Sequence, residues 1–136
     1  MGGADGTPDR ALQRRQLVRT ATAAKHILLV EDDPDLVSIL VQVLEEAGYR
    51  VSSATRRTQA RALLRKGDID LIVADSVLRG GNGDDVAKAA GRRHVPVVMI
   101  SGEPDRIARL AEGPHPFLQK PFRAAALVRL VAQVLA

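Results

Sequence analysis

The sequence predicts an α/β domain in which helices cover both faces of a parallel sheet. Two observations carry that prediction. Short apolar runs alternate strictly with helical patterns from Lys25 to the end of the chain. Those runs are apolar at successive positions, not at every second one, as expected of strands buried on both faces. Length agrees, because 136 residues suffice for one full-sized core.

Each element follows from its own residues. "HILLVE" (26–31) reads as a buried strand. "DLVSILVQVLEEAG" (35–48) places Leu36, Ile39, Leu40, Val43, Leu44 and Ala47 at helical spacing and ends on Gly48. Asp33 or Asp35, flanking Pro34, is suited to cap that helix. "YRVSSA" (49–54) is a strand, and "RRTQARALLRKG" (56–67) a basic helix that reads as a solvated face. "DLIVAD" (70–75) is the third strand and is followed by a glycine-rich loop. "GDDVAKAAGRR" (83–93) is a short helix and "VPVVMIS" (95–101) the fourth strand. "PDRIARLAEG" (104–113), "PFLQK" (116–120) and "RAAALVRLVAQVL" (123–135) complete a helix, a short strand and a terminal helix. Five such units with right-handed crossovers fit a flavodoxin-like (βα)5 doubly wound sheet of strand order 2-1-3-4-5.

Residues 1–24 stand apart from this pattern and predict a flexible basic N-terminal arm or short helix. Of the chain's 20 basic and 16 acidic residues, five and two fall within residues 1–25. The remaining 15 and 14 leave the folded body close to neutral, so nucleic acid is an unlikely partner for this chain alone. No apolar run approaches the roughly 20 residues of a membrane span. No signal-type apolar segment follows the N-terminal charges either, and the expectation is a cytoplasmic protein. The absence of cysteine excludes disulfides and thiolate metal sites.

Ligands of such sheets bind beyond the carboxyl ends of the strands. The first strand ends in Glu31-Asp32-Asp33, the third in Asp75, the fourth in Ser101-Gly102 and the fifth in Lys120-Pro121. Strands one and three are neighbours in the predicted order, so several carboxylates converge on a small volume. Close like charges cannot all ionise cheaply unless a cation enters. Carboxylates, carbonyls and water suit Mg²⁺, whereas His26, His94 and His115 do not gather at this edge to favour zinc. Lys120 and Ser101 add a cation and a hydroxyl donor, making a site for a phosphoryl group carried on a side chain.

The motifs "ILLVEDDPDL", "DLIVADSVLRGGNG", "PVVMISG" and "FLQKPF", in this order and at these intervals, resemble the response-regulator receiver domain of two-component signalling. The resemblance spans about His26 to Leu135, and implies a receiver domain over residues 25–136. It implies that Asp75 accepts the phosphoryl group. It also implies Mg²⁺ held by Asp32, Asp75 and the backbone carbonyl of Val77, with Glu31 acting through water. Ser101 would hydrogen-bond the phosphoryl oxygens, Lys120 would pair with the carboxylate and then the phosphoryl group, and Phe117 would be the aromatic switch. The Lys120–Pro121 bond is cis in the family. The donor would be a histidine kinase or a histidine phosphotransfer protein of a phosphorelay. The domain would catalyse only its own phosphorylation and dephosphorylation, and so would not be an enzyme in the ordinary sense.

On phosphorylation, Ser101 and Phe117 would reshape a face formed by the fourth helix, fifth strand and fifth helix. That face would draw on Ile107, Leu110, Leu127, Val128 and Val131 and suit a homodimer or another partner. The chain departs from the family at Arg79, where proline is common, and in having Ser101 in place of the commoner threonine. A stand-alone receiver, a relay intermediate and the receiver of a hybrid histidine kinase all fit these motifs. The alternative is a pseudo-receiver acting only as a protein-interaction module, against which intact Glu31, Asp32, Asp75, Ser101 and Lys120 argue. A metal-dependent phosphatase with an Asp nucleophile would want a second carboxylate where Val77 stands.

Overall fold

The structure, a computed structural model, describes residues 25–78 and 81–136. The N-terminal arm and Arg79 lie outside the described residues. The elements run β1 (His26–Val30), α1 (Pro34–Glu46), β2 (Arg50–Ala54), α2 (Arg57–Arg65) and β3 (Leu71–Asp75). A two-residue ribbon follows, β4 (Val77–Leu78) with β5 (Gly81–Asn82), and then α3 (Gly83–Arg92) and β6 (Val97–Ser101). The chain closes with α4 (Pro104–Glu112), β7 (Phe117–Gln119) and α5 (Ala124–Leu135).

Strands β2-β1-β3-β6-β7 form one parallel sheet. Counting only its own strands, the order is the predicted 2-1-3-4-5. Every residue of β1, β3 and β6 is buried, which is why these strands are apolar without alternation. Successive side chains nevertheless point to opposite faces, and the core is split accordingly. Leu28 and Val30 pack with Ala60 and Leu64 of α2 and Val86 and Ala90 of α3. Ile27 and Leu29 pack with Leu40 and Leu44 of α1 and Leu127 and Val131 of α5. Each fully buried Leu or Ile is worth about 1.5–3 kcal/mol over its exposed state, so the two interior layers carry the fold.

Helix α1 begins because Asp33 caps it. The Asp33 carboxylate accepts from the backbone N–H groups of Asp35 (3.0 Å) and Leu36 (3.4 Å), and Pro34 opens the first turn. The chain leaves the helix through Gly48 at φ +100°, a conformation glycine adopts without steric cost.

The structure departs from the sequence prediction at three main points. The fourth sheet strand starts at Val97, not Val95, because the Val95 N–H is spent on Ala90 O (3.0 Å) and Pro96 has no N–H. The glycine-rich loop contains the ribbon, with Val77 paired to Asn82 and Leu78 to Gly81. Two-residue strands carry too few positions to show a period. Finally, Leu127 and Val131 are fully buried in the core. The apolar face expected across α4 and α5 therefore narrows to Ile107, Leu110 and Val128, all half-buried.

Candidate functional site

The carboxyl ends of β1, β3, β6 and β7 place all of the predicted polar groups at one edge of the sheet. Glu31 directly follows β1 and is 1% exposed. Its side chain is fully engaged. Oε2 accepts from the backbone N–H groups of Asp32 (2.9 Å) and Asp33 (3.2 Å), and Oε1 accepts from Lys120 Nζ (2.8 Å). Asp75 closes β3 and is also buried. Its Oδ1 accepts from the Val77 N–H (3.0 Å) and its Oδ2 from Lys120 Nζ (2.8 Å). Carboxylate oxygens of Glu31, Asp32 and Asp75 lie within 4.8 Å of one another. Among the described residues, no other group of three such donors converges in this way.

Lys120 is shared between two carboxylates, Glu31 and Asp75, and a third, Asp32, lies beside them, all half-buried or deeper. The strain falls on Glu31. Burial pushes its carboxyl above the ordinary value of 4.5, Asp75 adds to that rise, and the Lys120 and backbone hydrogen bonds only partly offset it. Burial would pull the Lys120 ammonium down, but its hydrogen bonds to Asp75 and Glu31, with their charges, hold it above 10.5. Lys120 therefore stays cationic across the physiological range. The donor set is all oxygen, hard and acidic. Glu31, Asp32 and Asp75 thus fit Mg²⁺ by chemistry and charge.

Ser101 ends β6, is fully buried, and its Oγ accepts from the Glu103 N–H (3.2 Å). Its carbonyl accepts from the Lys120 N–H (2.7 Å), which ties the end of β6 to the lysine. Val77, 40% exposed, stands in β4 just past Asp75. Phe117, in register with Met99, is half-buried against the α2–α3 side of the core. The Lys120–Pro121 peptide is cis.

Three features of the edge escaped the sequence. Lys120 bridges Glu31 as well as Asp75, a pairing visible only once the sheet is closed. Gly83, which opens α3, lies against Asp75: a Cβ there would meet the Asp75 carbonyl oxygen, and also Met99 Cε at 2.9 Å and the Asp75 carbonyl carbon at 3.2 Å. An apolar groove of about 530 Å³ opens beside Lys120 between α1 and the start of α5, lined by Leu36, Ile39, Val43, Pro121 and Phe122. Ile39 is 57% exposed within it. Its helical spacing with Leu36, Leu40 and Val43 does not by itself say which of them the core covers.

Comparison with known proteins agrees with this architecture. The family model described as "Response regulator receiver domain" matches residues 27–132. The transcriptional regulatory protein CpxR of Escherichia coli K12 is 38% identical over 113 residues, covering 80% of this chain and 48% of CpxR. The chain thus spans about half the length of the curated relatives it matches. Among solved structures, the non-phosphorylated receiver domain of HemR from Leptospira biflexa is 31% identical at a TM-score of 0.71, covering 82% of this chain and 94% of that one. The receiver domain of the hybrid histidine kinase CckA is 30% identical at 0.70, covering 82% and 99%. With the family matched over nearly all of the described residues and its fold reproduced, this chain belongs to the response regulator receiver domain family of two-component signalling.

Proposed function

We propose that Asp75 accepts a phosphoryl group from a protein phosphohistidine, and that the domain passes this event on by protein contacts. The observation that carries the reading is the shared edge of Glu31, Asp32, Asp75 and Lys120, where a buried carboxylate is held by a lysine beside two further carboxylates. In the transfer, the Asp75 carboxylate attacks phosphorus, the P–O bond forms as the P–N bond breaks, and the donor imidazole leaves to take up a proton from solvent. The residues that would hold Mg²⁺ are Asp32 and Asp75, the Val77 carbonyl, and Glu31 through water. When bound, Mg²⁺ supplies charge neutralisation for the phosphoryl oxygens.

The chain's own contribution is positioning. The Val77 N–H fixes one oxygen of Asp75 and Lys120 the other, so the carboxylate is oriented before the donor arrives. Once the group is transferred, Lys120 stays to pair with a phosphoryl oxygen, and Ser101 offers a hydroxyl from the neighbouring strand end. The charge gained at Asp75, about two units, draws Ser101 and Phe117 inward and alters the α4–β7–α5 face. A partner or second copy then reads that face. The groove beside Lys120 supplies apolar surface next to Asp75, where a donor protein would have to sit. The activity is confined to gain and loss of the domain's own phosphoryl group.

The test is intact mass after incubation with acetyl phosphate, with and without Mg²⁺, for wild type and Asp75→Asn. One phosphoryl group gained only with Mg²⁺, and lost in the variant, supports the proposal. A folded wild type that gains nothing while a reactive control receiver is labelled would overturn it in favour of an interaction module without phosphorylation.

A further inference from the structure

Helices α2 and α3 lie side by side on one face of the sheet, and the groove between them is rimmed by four arginines. Arg61 and Arg65 project from α2, Arg92 ends α3 and Arg93 follows it, over a floor of Leu64 and Ala89. The groove holds about 420 Å³, within the roughly 300–1,000 Å³ typical of ligand clefts. All four arginines are exposed, and none is ion-paired among the described residues. The same two helices do pair charges at their other end, where Arg57 meets Asp85. The concentration of unpaired charge is therefore local to one end of the groove.

Self-stability does not account for this cluster. Arg65 and Arg92 sit in last helical turns, where a cation is favoured by the helix dipole. Arg61 is mid-helix and gains nothing from that. At i, i+4 it also repels Arg65, a small net cost to the helix. Such an arrangement is stabilised when an anion enters.

We infer that this groove is a docking site for an acidic segment of a partner protein, separate from the Asp75 edge. The rim is all arginine, whose planar fork takes a carboxylate or a phosphate through two bonds. Two observations favour carboxylates on a protein over a nucleic-acid backbone. The floor is aliphatic, which an apolar side chain of a peptide can cover and a phosphodiester cannot. The folded body is nearly neutral and the groove has no aromatic residue, so long-range attraction of a polyanion and base stacking are both lacking. Both helices run antiparallel to the strands they connect, so their last turns lie at the amino edge of the sheet. A segment seated there leaves the carboxyl edge open to a phosphodonor.

The experiment is fluorescence anisotropy of a labelled peptide of Glu-Glu-Leu repeats with the full chain. Its Gln-Gln-Leu counterpart is run alongside, and short duplex DNA serves as competitor. Arg61→Gln/Arg92→Gln is compared with Arg123→Gln/Arg129→Gln, which removes the same charge from exposed positions elsewhere. Circular dichroism of both variants checks that the fold is kept. The expected result is a loss of about ten-fold or more in Glu-peptide affinity in the first variant only, with little binding of the Gln peptide. Equal losses in both variants would reduce the effect to whole-chain charge and overturn the assignment. Duplex DNA that binds more tightly than the peptide, with the same dependence on Arg61 and Arg92, would overturn it in favour of nucleic acid.

Discussion

Gly83 and Gly91 belong to the same helix, α3, yet their replacement by alanine should act in opposite directions. At Gly83 the new Cβ would stand 2.9 Å from Met99 Cε and closer still to the Asp75 carbonyl oxygen. Reaching an ordinary contact of 3.4 Å requires the methionine to retreat by 0.5 Å and the Asp75 main chain to shift by more. The methionine is fully buried and β3 is the middle strand of the sheet, so neither gives way freely. Overpacking of this kind costs about 1–3 kcal/mol, or a fall in Tm of roughly 5–15 °C for a domain of this size. At Gly91 nothing lies within 4 Å of the added methyl. Alanine there should stabilise by about 0.5–1 kcal/mol through helix propensity alone. Urea unfolding of the two variants measures both signs. Phosphorylation from acetyl phosphate adds a second readout, because displacing Asp75 by about 1 Å can cost a hundred-fold in rate. A Gly83→Ala protein within about 0.5 kcal/mol of wild type, phosphorylated at the normal rate, would refute the idea that this glycine sets the position of Asp75.

Other perturbations give equally direct expectations. Asp33→Ala should cost about 1 kcal/mol in urea unfolding through loss of the α1 cap, whereas Asp35→Ala, which leaves that cap intact, should cost less. Because burial raises the Glu31 carboxyl above 4.5, the folded state holds that proton more tightly than the unfolded chain. In chelator, stability should therefore fall as pH rises from 4.5 through the raised value, and Glu31→Gln should flatten that slope in urea midpoints measured against pH. Mg²⁺ at a hundred times its dissociation constant should stabilise wild type by about 2.7 kcal/mol. Asp32→Asn should lose most of that increment in a Tm titration, and an undiminished increment would remove Asp32 from the ligand set.

What could be read from the sequence, and what could not, divides along physical lines. Continuous runs such as Leu71-Ile72-Val73-Ala74 and helix ends such as Gly48 are local signals, so strand order and element limits followed from them closely. The ribbon at Val77–Leu78 was invisible because two residues show no period. Leu127 and Val131 were counted with Ile107, Leu110 and Val128 in one apolar face because α5 is apolar on most of its circumference, and only packing against Leu29 and Leu44 selects the buried side. Asp75 and Lys120 were legible as strand-end groups. The double role of Lys120 and the fit of Gly83 against Asp75 depend on distances between elements, which no spacing along the chain encodes. The arginine groove belongs to the same class. Arg61 and Arg92 lie 31 positions apart by number, and only the sheet topology makes them neighbours.

The contact between Lys120 and Glu31 spans 89 positions of chain and joins the first strand of the sheet to the last. During synthesis Glu31, Asp32 and Asp75 all emerge before Lys120. Until then Glu31 and Asp75 lack the ammonium that joins them in the folded domain. The bridge between the two carboxylates thus forms only once β7 has joined the sheet, and a chain cut short before residue 120 keeps Asp75 but not the lysine that holds its Oδ2.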